Sequence, residues 1–420
     1  MRKVQSNSGR RRRRSMAKLW ALLPALAVAI AASVGAFSGS GSAKVVASAA
    51  SGNSNLAPII KAELKGQVPA AAKAELKQSI PLTIGQAVPG YPHGVKPSPA
   101  NIFHFSAADL AKLKKGHYTA AIAMHLNNAA WPQLQVKALK TTLAHFGIKV
   151  VAVTSANGVA STQVQQLGTL VARKPTAIFS IPVDPVSEAS AYKAVGKAGI
   201  KLVLLDNVPS GLAPGKNYVT IVSADNGGNG RFAAEQLVKS VGCGQMGWIG
   251  LDYYFPVVNA RDTQAQKVLS KCGKSNLHEQ NLSNLVTSGA YALANSTIER
   301  YPDLKGYWAA WDSIAQEIVS AEQAQGKKIP IATTDVGPTS ALEMAQGYIV
   351  AIGAQQPYAQ GVAEANALAY NLLGKKVPPF IELPTVPVTL KDLIPAYKIV
   401  NGTNPPANVI AAIKTAVGLG

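Results

Sequence analysis

From Tyr118 onward the chain alternates between short, unbroken apolar runs rich in β-branched residues and longer helical stretches, with Gly or Pro between them. The apolar runs are Tyr118–Leu126, Ile148–Val153, Thr176–Ile181, Ile200–Leu205, Tyr218–Val222, Met246–Leu251, Gly306–Ala310, Ile329–Thr334 and Ile349–Ala354. Several intervening helices carry clean stops, as at His145-Phe-Gly147, Lys197-Ala-Gly199 and Ala324-Gln-Gly326. Strands that are apolar without alternation are covered on both faces, which predicts an α/β fold built on doubly wound parallel sheets. About 300 residues of this rhythm exceed one compact sheet, so two lobes are expected, with the break near Ser223-Ala-Asp-Asn-Gly-Gly228.

Charge is distributed unevenly. The 420 residues hold 41 Lys and Arg against 21 Asp and Glu, a formal charge of +20, yet only 15% of residues are charged. That share is well below the roughly 25% of an average soluble protein and argues against a coiled-coil or disordered chain. Eight of the basic residues lie in the first 18 positions, and no acid precedes Glu63. Setting those eight aside leaves +12, with no basic helix, zinc spacing or ribonucleoprotein signature to support a nucleic-acid partner. The basic block precedes an apolar run from Leu19 to Phe37 and then small residues, the layout of a secretory signal peptide, expected over 1–43, with an uncleaved signal anchor as the alternative. An exported, periplasmic or secreted protein is therefore expected.

Residues 44–116 form an Ala/Pro-rich N-terminal extension, read as a packing arm or tether, ending in a helix opened by the capping box Ser106-Ala-Ala-Asp109 and closed by Gly116. The only cysteines are Cys243 and Cys272. In an exported chain such a pair reads as one disulfide, and in a cytosolic chain as two buried thiols. They flank one βα unit at the same edge of its sheet, and a bridge would close a loop of about 30 residues.

In open parallel sheets, ligands bind beyond the carboxyl ends of the strands. The residues there include Asn127, Asn128, Trp131, Asp184, Asp206, Asn207, Asp225, Asn226, Asp252, Tyr253, Tyr254, Phe255, Arg261, Trp311, Asp312, Asp335, Gln355 and Gln356. Carboxylates, carboxamides, one Arg and aromatics suit a neutral, hydroxyl-rich ligand. Carboxylates accept from hydroxyls, guanidinium donates in a planar fork, and indole stacks on the C–H face of a sugar or polyol. Asp312 and Asp335 equally suit helix N-caps.

Between about Tyr118 and Val388 the chain resembles the type I periplasmic solute-binding proteins of ABC transporters, in particular the ribose-binding-protein group. The resemblance rests on Ala123-Met-His-Leu-Asn-Asn128-Ala-Ala-Trp131, Ile200 to Asn207, Val222-Ser-Ala-Asp225-Asn226, Asn259-Ala-Arg261, Ile331 to Asp335 and Ile352-Gly-Ala-Gln355, in that order. It implies ligand roles for Asn128, Trp131, Asp206, Arg261, Asp335 and Gln355, and Asn207 and Trp311, from the strand-end positions, are expected beside them. Trp131 and Trp311 would stack on the ligand from either side. It also implies a hinge of three crossings near Asp225, Gln355 and Val388, with 117–224 plus 356–388 in the first lobe and 225–355 plus 389–420 in the second. The group has Arg where Asn207 stands and Asn where Trp311 stands, which implies a sugar or polyol other than ribose. The implied function is capture of a small neutral solute and its delivery to an ABC permease by a monomer, with no cofactor and no catalysis. A receptor for a chemotaxis or sensor-kinase partner, or an enzyme acting on carbohydrate, are the alternatives.

Other patterns carry less. Gly242-Cys-Gly244-Gln-Met-Gly247 has dinucleotide-type spacing but precedes its strand instead of following one. Asp225-Asn-Gly-Gly-Asn-Gly230 reads as a phosphate nest or, more simply, as a hinge and helix cap. Ser190-Ala-Tyr-Lys193 falls within a helix and lacks companion motifs. The six histidines show no paired metal spacing, and His125 faces either the ligand or the core.

Overall fold

A computed structural model describes residues 53–67 and 95–419. The expected signal peptide, 1–43, lies outside those residues. Two six-stranded sheets, each layered between helices, form two lobes. The first contains β1 (Thr119–Met124), β2 (Lys149–Ser155), β3 (Ala177–Ser180), β4 (Lys201–Leu205), β5 (Thr220–Ala224) and β11 (Phe380–Leu383) in the order β11-β5-β4-β3-β1-β2, all parallel. The second contains β6 (Met246–Leu251), β7 (Leu277–Leu282), β8 (Gly306–Ala309), β9 (Ile331–Thr334), β10 (Ile349–Ala354) and β12 (Val386–Val388) in the order β12-β10-β9-β8-β6-β7. Only β12 runs antiparallel to its neighbour. The two α/β parallel-sheet lobes are those expected from the apolar rhythm.

The apolar runs behave as doubly covered strands. In β1, Ile122 and Met124 face one cluster while Ala121 and Ala123 face another, and all are buried. The helix stops fall where expected: Gly147, Gly199 and Gly326 follow their helices with φ of 74°, 74° and 63°, left-handed values that glycine adopts without steric cost. Strands β7, β11 and β12 do not announce themselves in the sequence. β7 reads Leu-His-Glu-Gln-Asn-Leu and lies at a sheet edge, half in solvent. β11 and β12 are short and set among prolines, and Pro387 is tolerated because β12 is itself an edge strand.

The chain passes between lobes at Asp225, at Gln355–Gln356 and at Pro384–Thr385. The third crossing precedes the expected Val388, because Val386–Val388 pairs with β10 in the second sheet. The crossings are tied together. Asp225 N donates to Leu383 O at 2.9 Å, Thr385 Oγ1 to Asp225 O at 3.1 Å and Gln356 Nε2 to Pro384 O at 2.8 Å. Asp225 also caps the following helix, α6 (Asn226–Val241), accepting from Gly228 N at 2.8 Å. A Cβ at Gly230 would collide with the Arg261 backbone, so the glycine-rich start of α6 permits close packing on α7 (Pro256–Leu269). The hinge-and-cap reading of that motif holds.

The helices α1 to α5 are Ala57–Glu63, Ala107–Lys115, Ala130–His145, Ala160–Ala172 and Ala189–Lys197. Those after α7 are α8 (Ala290–Arg300), α9 (Asp312–Ala324), α10 (Pro338–Ala345), α11 (Pro357–Leu372), α12 (Leu393–Asn401) and α13 (Ala407–Ala416). The described parts of the extension are docked. Ile60 of α1 is fully buried in the main apolar cluster, and α1 packs against α12. Ser98 bonds both sides of Ile381, donating to Phe380 O at 2.9 Å and accepting from Glu382 N at 3.0 Å, which extends the first sheet beyond β11. The Ser106/Asp109 capping box forms as expected, and Asp109 pairs with Lys375 on the first lobe at 2.6 Å. Cys243 and Cys272 form the expected disulfide, with Cα atoms 5.1 Å apart. The glycine-spaced run at Gly242 leads into β6, where a Cβ at Gly247 would collide with the Tyr307 ring, so it opens no helix.

Candidate ligand-binding site

Both lobes direct their strand C-termini at a single cleft. On the first lobe, β4 ends in Asp206, and on the second, β9 ends in Asp335. Each adopts left-handed backbone, with φ of 57° and 69°. Asp and Asn enter that region more readily than most residues because their short polar side chains bond locally, and such backbone gathers at functional sites. The expected alternative, that Asp312 and Asp335 cap helices, is not realised. Trp311 and Gly337 hold the N-cap positions, and Asp312 lies inside the first turn of α9.

Around Asp335 a polar network is assembled in advance. Arg261, on α7 and only 3% exposed, donates from Nε to Asn226 Oδ1 at 2.8 Å and from Nη1 to Thr334 Oγ1 at 2.8 Å and Asp335 Oδ2 at 3.2 Å. Gln355 Nε2 donates to the other oxygen of Asp335 at 3.0 Å. Opposite them, Asp206 Oδ1 accepts from Ser223 Oγ at 2.9 Å and from Gln360 Nε2 of α11 at 3.2 Å. Among the described residues no hydrogen bond engages Asp206 Oδ2 or Arg261 Nη2. Asp206 therefore keeps one acceptor and Arg261 one donor for the cleft.

Burial governs the titration of the carboxyls. It pushes Asp206 up to about 7, against the Ser223 hydrogen bond and the Arg261 charge, with Asp335 adding repulsion. Asp312 is likewise raised to about 7, by burial first and by Asp335 second. Burial holds the His125 imidazole down at about 3, so it is neutral at physiological pH.

The space between these walls measures about 580 Å³ including its mouth. It is lined by Trp131, Asp206, Arg261, Trp311, Asp335 and Gln355, six of the eight residues expected at a ligand, together with Asp312. Asn128 and Asn207 lie outside it. Asn128 is exposed, because its loop turns Ala129 and Trp131 to the cleft instead. Asn207 is fully buried one residue below Asp206, and its Oδ1 accepts from Val257 N at 3.4 Å, so it caps α7 across the lobes.

The remaining lining is apolar: Leu126, Ile181, Phe255, Val257, Val258 and Leu285, with His125 among them. His125 stacks on Phe255 of the opposite lobe (5.5 Å between centroids, 22° between planes) and meets Trp131 edge-on at 6.0 Å. The Nδ1 of His125 and the Nε1 of Trp131 are buried and have no partner among the described residues. Apolar residues in loops carry no polar signature, which hid this wall from the sequence. Phe255 was visible there as an aromatic after β6, and His125 as a residue facing either the ligand or the core.

A family profile described as "Periplasmic binding protein domain" matches residues 120–376. No curated protein matches the chain. An ABC sugar transporter subunit from Rhodobacter sphaeroides 2.4.1 is 25% identical over 65% of this chain and 98% of its own, with a TM-score of 0.56. A solute-binding protein of an ABC transporter from Agrobacterium vitis, bound to α-D-tagatopyranose, is 19% identical over 69% of this chain and 100% of its own, with a TM-score of 0.61. One from Bacillus halodurans C-125, bound to myo-inositol, is 18% identical over 66% of this chain and 96% of its own, at 0.59. The last two likenesses are of fold. With a profile that spans more than half of its length and two parallel-sheet lobes joined by three crossings, the chain belongs to the periplasmic binding protein family.

Proposed function

We propose that this protein is an exported receptor that captures a small neutral sugar or polyol between its lobes and delivers it to an ABC importer in the membrane. It acts as a monomer and without a cofactor or chemical turnover. The observation that carries the reading is the opposition of Asp206, from the first lobe, to the Arg261–Asp335–Gln355 network of the second. Acceptors and a fork donor held in place by their own neighbours, with Asp206 Oδ2 and Arg261 Nη2 still unengaged among the described residues, suit hydroxyls that both donate and accept. Trp131 and Trp311 supply faces for the C–H side of such a ligand. The related structures bound to α-D-tagatopyranose and myo-inositol support this class. Ligand contacts in both lobes would favour the closed arrangement over an open one, and a permease would read the closed form. A thermal-shift and calorimetric panel of sugars, polyols and amino acids tests the class. Stabilisation by one or more carbohydrates is expected, and stabilisation by amino acids alone would reject it.

A further inference from the structure

The lining of the cleft is sorted along its length. Strand order places β5 and β11, and β10 and β12, at the hinge edges of their sheets, and β2 and β7 at the far edges. The polar groups gather toward the hinge: Asp206 follows β4, Asp335 follows β9, Gln355 follows β10, Arg261 is bonded back to Asn226 and Thr334, and Asp312 follows β8 at the middle of its sheet. The far half contributes Leu126 after β1, Ile181 after β3, Phe255 after β6 and Leu285 after β7. At Gly158, beyond β2, an added Cβ would touch Leu126 at 3.7 Å, Leu285 at 3.8 Å and Val286 at 3.9 Å, so the apolar strip continues to the mouth. Val286 is half exposed there.

A free sugar or polyol presents hydroxyls on every carbon. Seated in this cleft it would bury some of them against leucine, isoleucine and phenylalanine, where, among the described residues, the unpartnered side-chain atoms on offer are the Nδ1 of His125 and the Nε1 of Trp131. A hydroxyl buried without a partner is costly, whereas an alkyl group in its place is favoured.

We infer that the ligand is amphipathic: a polyhydroxylated head held at the hinge half, carrying an alkyl, alkylthio or aryl substituent that lies along the apolar half toward the mouth. This rests on the carbohydrate reading above and narrows it. The neutral His125 imidazole follows β1 within the apolar half, where it offers one hydrogen bond beside the substituent, and the Phe255 ring stacked on it walls that side.

Calorimetric titration with matched pairs tests the inference. Pentoses and hexoses would each be used as the free sugar and as methyl, propyl and phenyl glycosides and terminal alkylthio derivatives. For at least one head group the substituted ligand should bind ten or more times tighter than its parent, rising about fourfold per methylene that becomes buried. Leu285→Asn should narrow that ratio, and Leu126→Asn on the opposite lobe provides a second reading should the first variant fail to fold. Free sugars that bind as tightly as every substituted partner would overturn the inference while leaving carbohydrate capture intact. An absence of binding by either set would overturn both.

Discussion

Replacing Arg261 by Met removes the charge while keeping much of the stem. Arg261 is 3% exposed and its guanidinium holds Asn226, Thr334 and Asp335 at once. In the variant, Asp335 keeps the Gln355 amide as its side-chain partner among the described residues, and its buried carboxylate loses the cation that pairs with it. Removing one partner of a buried ion pair typically costs about 3–5 kcal/mol, because the other charge stays desolvated. The same cation lowers the proton affinity of Asp206 and Asp312, so its loss reaches both walls of the cleft. Urea unfolding of the ligand-free protein at pH 7.5, followed by tryptophan fluorescence, should therefore show a loss of about 3–5 kcal/mol. Adding Asp335→Asn should restore at least half of it, since a neutral amide needs no counter-charge. Arg261→Met within about 1 kcal/mol of the parent, or a double variant no better than the single one, would refute the pre-assembled network.

Other consequences follow from the buried carboxyls and the disulfide. Burial raises Asp206, Asp262 and Asp312 to about 7 and Glu188, Glu322 and Glu343 to about 8. Each binds its proton more tightly folded than unfolded, so stability is fully present below about 4 and is lost as pH rises through 7 to 8. The ligand-free protein should melt at a lower temperature at pH 8 than at pH 5, with a smaller difference in Asp206→Asn, and a melting temperature that rises over that interval would contradict the assignment. Hydroxyl donors from a ligand favour ionised Asp206, so affinity should weaken between pH 8 and pH 6, as measured by calorimetry in matched buffers. Replacing Cys243 and Cys272 together by Ser opens a loop of sequence separation 29. It should cost about 3–4 kcal/mol, and unaltered urea midpoints would show that the bridge does not constrain the unfolded chain.

How far the sequence was legible depended on what kind of signal each element carries. β1, β3, β4, β6 and β9 sit inside their sheets and read as solid apolar runs, so doubly wound lobes followed directly from them. β7 sits at an edge, where half its side chains meet solvent, and its His, Glu, Gln and Asn concealed it. Asp206 and Asp335 stood out as single carboxylates closing apolar strands, and both reach the cleft. Asn207 stood out equally, but one residue further along the chain its side chain is turned beneath the cleft to cap α7. The apolar wall had no comparable mark, since Leu126 and Leu285 in loops look like any other loop residue until the topology brings two lobes together.

The claim that one ligand is gripped from both lobes is tested most directly by titrating the best carbohydrate from the panel into the parent protein, Asp206→Ala and Trp311→Ala, one residue from each lobe. Each variant should retain its circular dichroism spectrum. Asp206→Ala should weaken binding by about 2 kcal/mol or more, roughly thirtyfold, because a ligand hydroxyl is left without its acceptor. Trp311→Ala should weaken it by roughly tenfold or more through the lost stacking face. Unchanged affinity in both variants would contradict capture between the lobes.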